Sequence, residues 1–110
     1  MAQKPETVFR ARADKKLKKI KNSWWESIQQ TAIRATPDKI GCIQGYLVAL
    51  EFKKDADTDL EKLQRYKATK IKAAGGFHFR VTPQNWEKVY RKLIRISNMK
   101  PQTQEALCLN

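Results

Sequence analysis

At 110 residues the chain is long enough for one hydrophobic core and too short for two. Hydrophobic residues make up 41%, which excludes a chain disordered throughout. Lys and Arg number 23 against 11 Asp and Glu, and the resulting charge of +12 points to a polyanionic partner, most simply nucleic acid. Such a surface suits an enzyme and a non-catalytic binding protein equally.

Residues 1–4 are expected to be loose. Pro5 suits the first turn of a helix over residues 5–21, with Glu6, Phe9, Ala13, Leu17 and Ile20 recurring on one face. Arg10, Lys16 and other cations cover the rest. Glu6 on the packing face needs a partner or a metal, unless it only favours the helix N-terminus through the macrodipole. A first strand is expected over residues 24–30, with Trp24 and Trp25 on opposite sides and at least one of them in the core. The polar loop after it, from Gln29 and Gln30 through Arg34, is either solvated or a phosphate contact led by Arg34.

Ile40-Gly41-Cys42-Ile43 and Tyr46-Leu47-Val48-Ala49-Leu50 read as a hairpin joined by Gln44-Gly45, a two-residue turn with glycine where φ can be positive. Pairing Ile43 beside Tyr46 brings Asp38 level with Glu51. The central strand ends in Glu51-Phe52-Lys53, and its period of 2 puts Glu51 and Lys53 on one face, roughly 6.5–7 Å apart. Two carboxylates and one lysine therefore meet at one end of the hairpin. Hard oxygens of this kind suit Mg²⁺, which keeps water and takes phosphate oxygens as its remaining ligands, and Mn²⁺ is expected to substitute. Lys53 could orient or deprotonate an attacking water and offset charge on a phosphate. A Glu and a Lys at a strand end are otherwise a solvated ion pair.

Lys54 opens a polar loop, and a second helix is expected over residues 59–74, with Leu60, Leu63, Tyr66 or Lys67, Lys70 and Ile71 recurring and Gly75-Gly76 as the stop. Lys67 and Lys70 are candidate backbone contacts for a nucleic acid. Phe77-His78-Phe79-Arg80-Val81 reads as the last strand, with His78 in a structural or surface role rather than a general acid's. Thr82-Pro83 is expected to start a helix ending near Ile96, whose stripe of Trp86, Val89, Tyr90, Leu93 and Ile94 serves a core or a dimer contact. Residues 97–110 read as a mobile tail after a single domain over residues 1–96. Two cysteines, Cys42 and Cys108, and one histidine form no zinc pattern. No apolar run is long enough to span a bilayer, so the expectation is a soluble cytoplasmic protein.

Pro37-Asp38, a hairpin, a hydrophobic strand and Glu51-Phe52-Lys53 together resemble the PD-(D/E)XK nuclease superfamily, and within it the stand-alone VRR-NUC type. The resemblance spans about residues 5–81. It implies an α/β fold with a restriction-endonuclease-like core, a mixed sheet flanked by helices in the order α-β-β-β-α-β-α. Glu6-Thr7-Val8-Phe9 looks like the family's first-helix motif, which makes Glu6 a third acidic ligand beside Asp38 and Glu51. Leu60-Glu61-Lys62-Leu63-Gln64 resembles its Leu-rich turn, so Gln64 would hold Lys53 or the water. As an isolated residue Gln64 reads as helix surface. The implied activity is Mg²⁺-dependent endonucleolytic hydrolysis of DNA, with Asp38, Glu51, Lys53 and Gln64 catalytic and Arg10, Lys16, Arg34, Lys54, Lys67 and Lys70 on the nucleic acid. The implied setting is a homodimer on branched DNA such as a Holliday junction, with replication or recombination partners in a microbial or phage-infected cell. The alternatives are a non-catalytic basic nucleic-acid-binding protein and an RNA-directed nuclease.

Overall fold

The computed structural model of the chain describes residues 4–29 and 32–102. Pro5 opens helix α1 (Pro5–Lys18), where its missing N–H costs nothing, and Phe9, Ala13 and Leu17 form its buried stripe. The chain leaves the helix before residue 21, and Asn22 adopts a left-handed φ of 58° that reverses it. Strand β1 (Ser23–Ser27) follows and stops short of Gln29. Gln30 and Thr31 of the expected loop lie outside the described residues.

Strands β2 (Lys39–Ile43) and β3 (Tyr46–Phe52) form the hairpin, with Ile43 opposite Tyr46 and Lys39 opposite Leu50. Gln44 and Gly45 both have positive φ, at 54° and 86°, the geometry of a two-residue turn that fixes register. Helix α2 (Lys62–Ala73) carries the chain over to β4 (Phe77–Val81), which lies parallel to β3, and helix α3 (Trp86–Ser97) completes the order. The result is a mixed α/β fold with a four-stranded sheet in the order β1-β2-β3-β4, antiparallel except for the last pair, and three helices.

One face of the sheet carries the core. Val48, Leu50 and Phe52 point to it and meet Phe9, Leu17, Trp86, Val89 and Leu93 from α1 and α3. The Phe9 ring stands edge-on to both Phe52 and Trp86, with centroids 6.1 and 6.2 Å away. Trp25 lies on this face too, opposite Gly41, and a Cβ at Gly41 would sit 2.2 Å from its ring, so glycine makes room for the indole. Lys39 is buried on the same side and is neutralised by Asp14 at 2.8 Å, while donating to the Ser27 hydroxyl.

The other face belongs to α2, and most of the residues that recur along it do not pack there. Leu63 and Tyr66 are exposed, and the only buried residue of the helix is Ala68, with Gln64 and Ile71 half-buried. Helix α2 also starts three residues later than expected, because Glu61 and Gln64 form a capping box: the Gln64 side chain accepts from the Glu61 backbone N–H at 2.9 Å. Helix α3 likewise starts at Trp86, not at Pro83, and residues 82–85 form a turn closed by reciprocal hydrogen bonds between Thr82 and Asn85. Ser97 ends α3 and is buried, where a tail was expected to begin. Its carbonyl accepts from the Gln44 side chain, and the Gln102 backbone N–H bonds the Gln44 carbonyl at 2.9 Å. Residues 1–3 and 103–110, including Cys108, lie outside the described part. Among the described residues no helix is long and apolar enough to cross a membrane.

Candidate active site at the end of the hairpin

The hairpin register decides where the acids meet. With Lys39 opposite Leu50, the preceding residue Asp38 stands level with Glu51, on the face turned towards α2. Asp38 is anchored by its Oδ2, which accepts the Phe52 backbone N–H at 2.8 Å and faces the Arg10 guanidinium at 3.6 Å. Glu51 is almost fully buried, and its Oε1 accepts from Gln64 Nε2 at 3.0 Å. Because the capping box occupies the Gln64 oxygen, the amide must present its NH₂ to Glu51. Gln64 thus positions the carboxylate, where the resemblance had it holding Lys53 or a water.

Burial is the main cause that pushes the Glu51 carboxyl up to about 8. The neighbouring Asp38 charge raises it further, as does a hydrogen bond to Asp38, and the charges of Lys53 and Arg10 pull it down by less. Two carboxyl groups in contact, one of them buried, need a proton or a cation between them. Lys53 is half-buried just beyond the end of β3, fixed by its backbone N–H to the Val81 carbonyl at 2.8 Å. The structure therefore brings Asp38, Glu51, Lys53 and Gln64 to one place.

Glu6 is not part of that group. It is exposed in the first turn of α1, off the packing face on which the periodicity placed it, and it lines a small cavity of about 80 Å³ with Arg10, Phe52, Lys53 and Lys54. Among the described residues no three acidic, histidine or cysteine side chains gather around one point. An exposed first-turn carboxylate next to the helix N-terminus is what the macrodipole alone favours.

The cations separate into three groups. Arg10 borders the site through Asp38, Lys54 lines the neighbouring cavity with Glu6, and the Arg10 guanidinium lies over the Phe52 ring, 5.2 Å from its centroid. Lys16 lies elsewhere, above the Tyr90 ring in a groove of about 370 Å³ that it shares with Arg12, Lys15 and Lys19. Arg34, Lys67 and Lys70 cluster around α2, where the Lys67 ammonium donates to the Arg34 carbonyl and ties the loop before Asp38 to the helix.

Sequence reasoning missed Arg80. It is the register partner of Glu51 on the parallel side, and its guanidinium donates to the Thr58 carbonyl at 3.1 Å, holding the loop that leads into α2. The alternation in Phe77–Val81 was a signal for it, since it puts His78 and Arg80 on one face. His78 is buried, its imidazole pulled below the ordinary range by burial and then by Lys72, so it fills a structural position opposite Ala49. Comparison of the chain with models of known protein families, with curated proteins and with solved structures gave no match to any of the three.

Proposed function

We propose that the protein is a metal-dependent nuclease of the PD-(D/E)XK type, hydrolysing phosphodiester bonds at the end of the hairpin. The observation that carries this is the juxtaposition of Asp38, just before β2, and Glu51 in β3, with the charge of Lys53 reaching the Glu51 carboxyl and Gln64 fixing its orientation. The mixed sheet, with α1 and α3 on one face and α2 on the other, is then a restriction-endonuclease-like core.

The donor set fits a hard divalent cation. Asp38 and Glu51 offer carboxylate oxygens, their mutual repulsion is relieved by positive charge, and Mg²⁺ needs only one or two carboxylates beside water and phosphate. When bound, such an ion polarises the scissile phosphate and lowers the pKa of a coordinated water. Asp38 and Glu51 would hold it. Arg10, close to Asp38, draws the phosphate chain towards the carboxylates. The Lys53 ammonium donates hydrogen bonds to the attacking water or to a phosphate oxygen, offsetting charge as the new O–P bond forms and the ester P–O bond breaks. Glu6, at the neighbouring cavity, is a peripheral member that could accept from waters there.

The substrate we favour is DNA, branched or junction-bearing and cut by a homodimer, as the resemblance to the stand-alone VRR-NUC type implies. A non-catalytic nucleic-acid-binding role is the second reading, favoured by the way Asp38 is already engaged by Phe52 and Arg10 and by the want of a third acid among the described residues. Incubation with supercoiled plasmid, a four-way junction and a structured RNA, in Mg²⁺ or EDTA, separates these. Cutting of DNA in Mg²⁺ alone is expected. Lys53→Ala should lower the rate by about 10²–10³-fold, the loss typical of removing one charge-stabilising donor, while binding in EDTA stays within twofold. No cutting by wild type under any divalent ion would leave the binding role standing.

A further inference from the structure

On a chain this cationic, the α2 side of the molecule carries an unexplained apolar surface. Tyr66 is 57% exposed, Ile33 58% and Leu63 38%, and a cavity of about 550 Å³ opens between Arg34 and the first two turns of α2, lined by Glu61, Lys62, Leu63 and Tyr66. The Lys70 ammonium lies 5.5 Å from the centre of the Tyr66 ring. Lys62, Tyr66 and Lys70 recur every fourth residue, so they stand in one row along the helix, spaced by ~6 Å. An exposed aromatic ring on a helical row with a lysine one turn to either side matches a base and its flanking phosphates: the ring offers a stacking face and the lysines take the backbone. The one carboxylate in the lining, Glu61, is spent on the helix cap.

We infer that this patch binds an unpaired nucleic-acid strand, one base stacking on Tyr66 beside Leu63 and its phosphates lying against Lys62, Lys70 and Arg34. Its walls are the two segments that carry the proposed chemistry: the loop of residues 32–36 runs through Pro37 into Asp38, and α2 carries Gln64. A strand seated here leaves the duplex next to the acidic pair. The substrate is therefore a duplex with an unpaired flank, and only this last step rests on the nuclease reading.

Fluorescence anisotropy in EDTA tests the patch without any cutting. The probes are a labelled 20-nucleotide oligothymidylate, an oligouridylate of the same length, a blunt 20-base-pair duplex, and that duplex with a ten-nucleotide overhang. Tyr66→Ala should weaken the single strand and the overhang duplex by about tenfold, the loss of one base stack, leaving the blunt duplex within twofold of wild type. Tyr66→Phe, which keeps the stacking face, should bind as wild type does. A preference for one of the two single strands would assign the flank to DNA or RNA. Equal weakening of blunt and single-stranded probes, no change on the single strands, or displacement of oligothymidylate by polyglutamate of equal charge would each overturn the assignment. Because metal is withheld, failure of the nuclease reading leaves this result untouched.

Discussion

On one face of the sheet Val48, Leu50 and Phe52 disappear beneath α1 and α3, while on the other Trp24, Cys42 and Leu47 form a cross-strand row open to solvent. Helix α2 reaches Glu51 on that second face through a glutamine, and its only buried residue is an alanine. The difference teaches how a domain of this size can hold a desolvated carboxylate. The closed face supplies the apolar burial, so the open face is free to carry polar groups that contribute little to folding. Glu51 belongs to the part of β3, from Val48 on, that is buried on both sides, and the first face holds its strand while the second supplies its polar partner Gln64.

That contrast can be broken or sharpened by substitution. Leu93→Ala, at a fully buried position on the closed face, should cost about 2–5 kcal/mol of unfolding free energy in urea. Glu51→Gln should act in the opposite sense, with a pH signature. The folded Glu51 carboxyl titrates near 8 against an ordinary 4.5, so between those values the native state keeps a proton that the unfolded chain has lost. The stability this contributes is complete below about pH 4.5 and is lost as pH rises through about 8. Glutamine mimics the protonated form and can still accept from Gln64. The melting temperature of the variant should therefore match wild type near pH 4.5 and exceed it increasingly up to about pH 8, where thermal scans would show a plateau. Trp24→Ser, at a 62% exposed site on the open face, should change stability by no more than about 0.5 kcal/mol. A loss as large as that of Leu93→Ala would mean that the open face is covered in solution.

The hairpin was the most legible part of the sequence. A two-residue turn ending in glycine admits one register, and that register alone brings Asp38 level with Glu51. The packing face of α2 was not legible, because Leu63 and Tyr66 fall at helical spacing and outweigh Ala68 in any hydrophobic pattern. What turns the helix is a polar contact, Gln64 to Glu51, together with a cap that sets where the first turn begins. Glu6 was misplaced for a related reason. Its spacing to Phe9 and Ala13 fits the buried stripe, yet the burial begins only at Phe9 and every residue of the first turn of α1 is exposed. The grip of Phe52 and Arg10 on Asp38 joins residues far apart in the chain, and no local pattern announces such contacts.

The central claim is that Asp38 and Glu51 share one divalent ion, and Mn²⁺ titration followed by electron paramagnetic resonance at pH 8 addresses it without any substrate. Wild type should take up one ion per chain, and Asp38→Asn and Glu51→Gln should each abolish that uptake while keeping the fold. An ion held equally well by both variants, or no ion held by wild type, would contradict it.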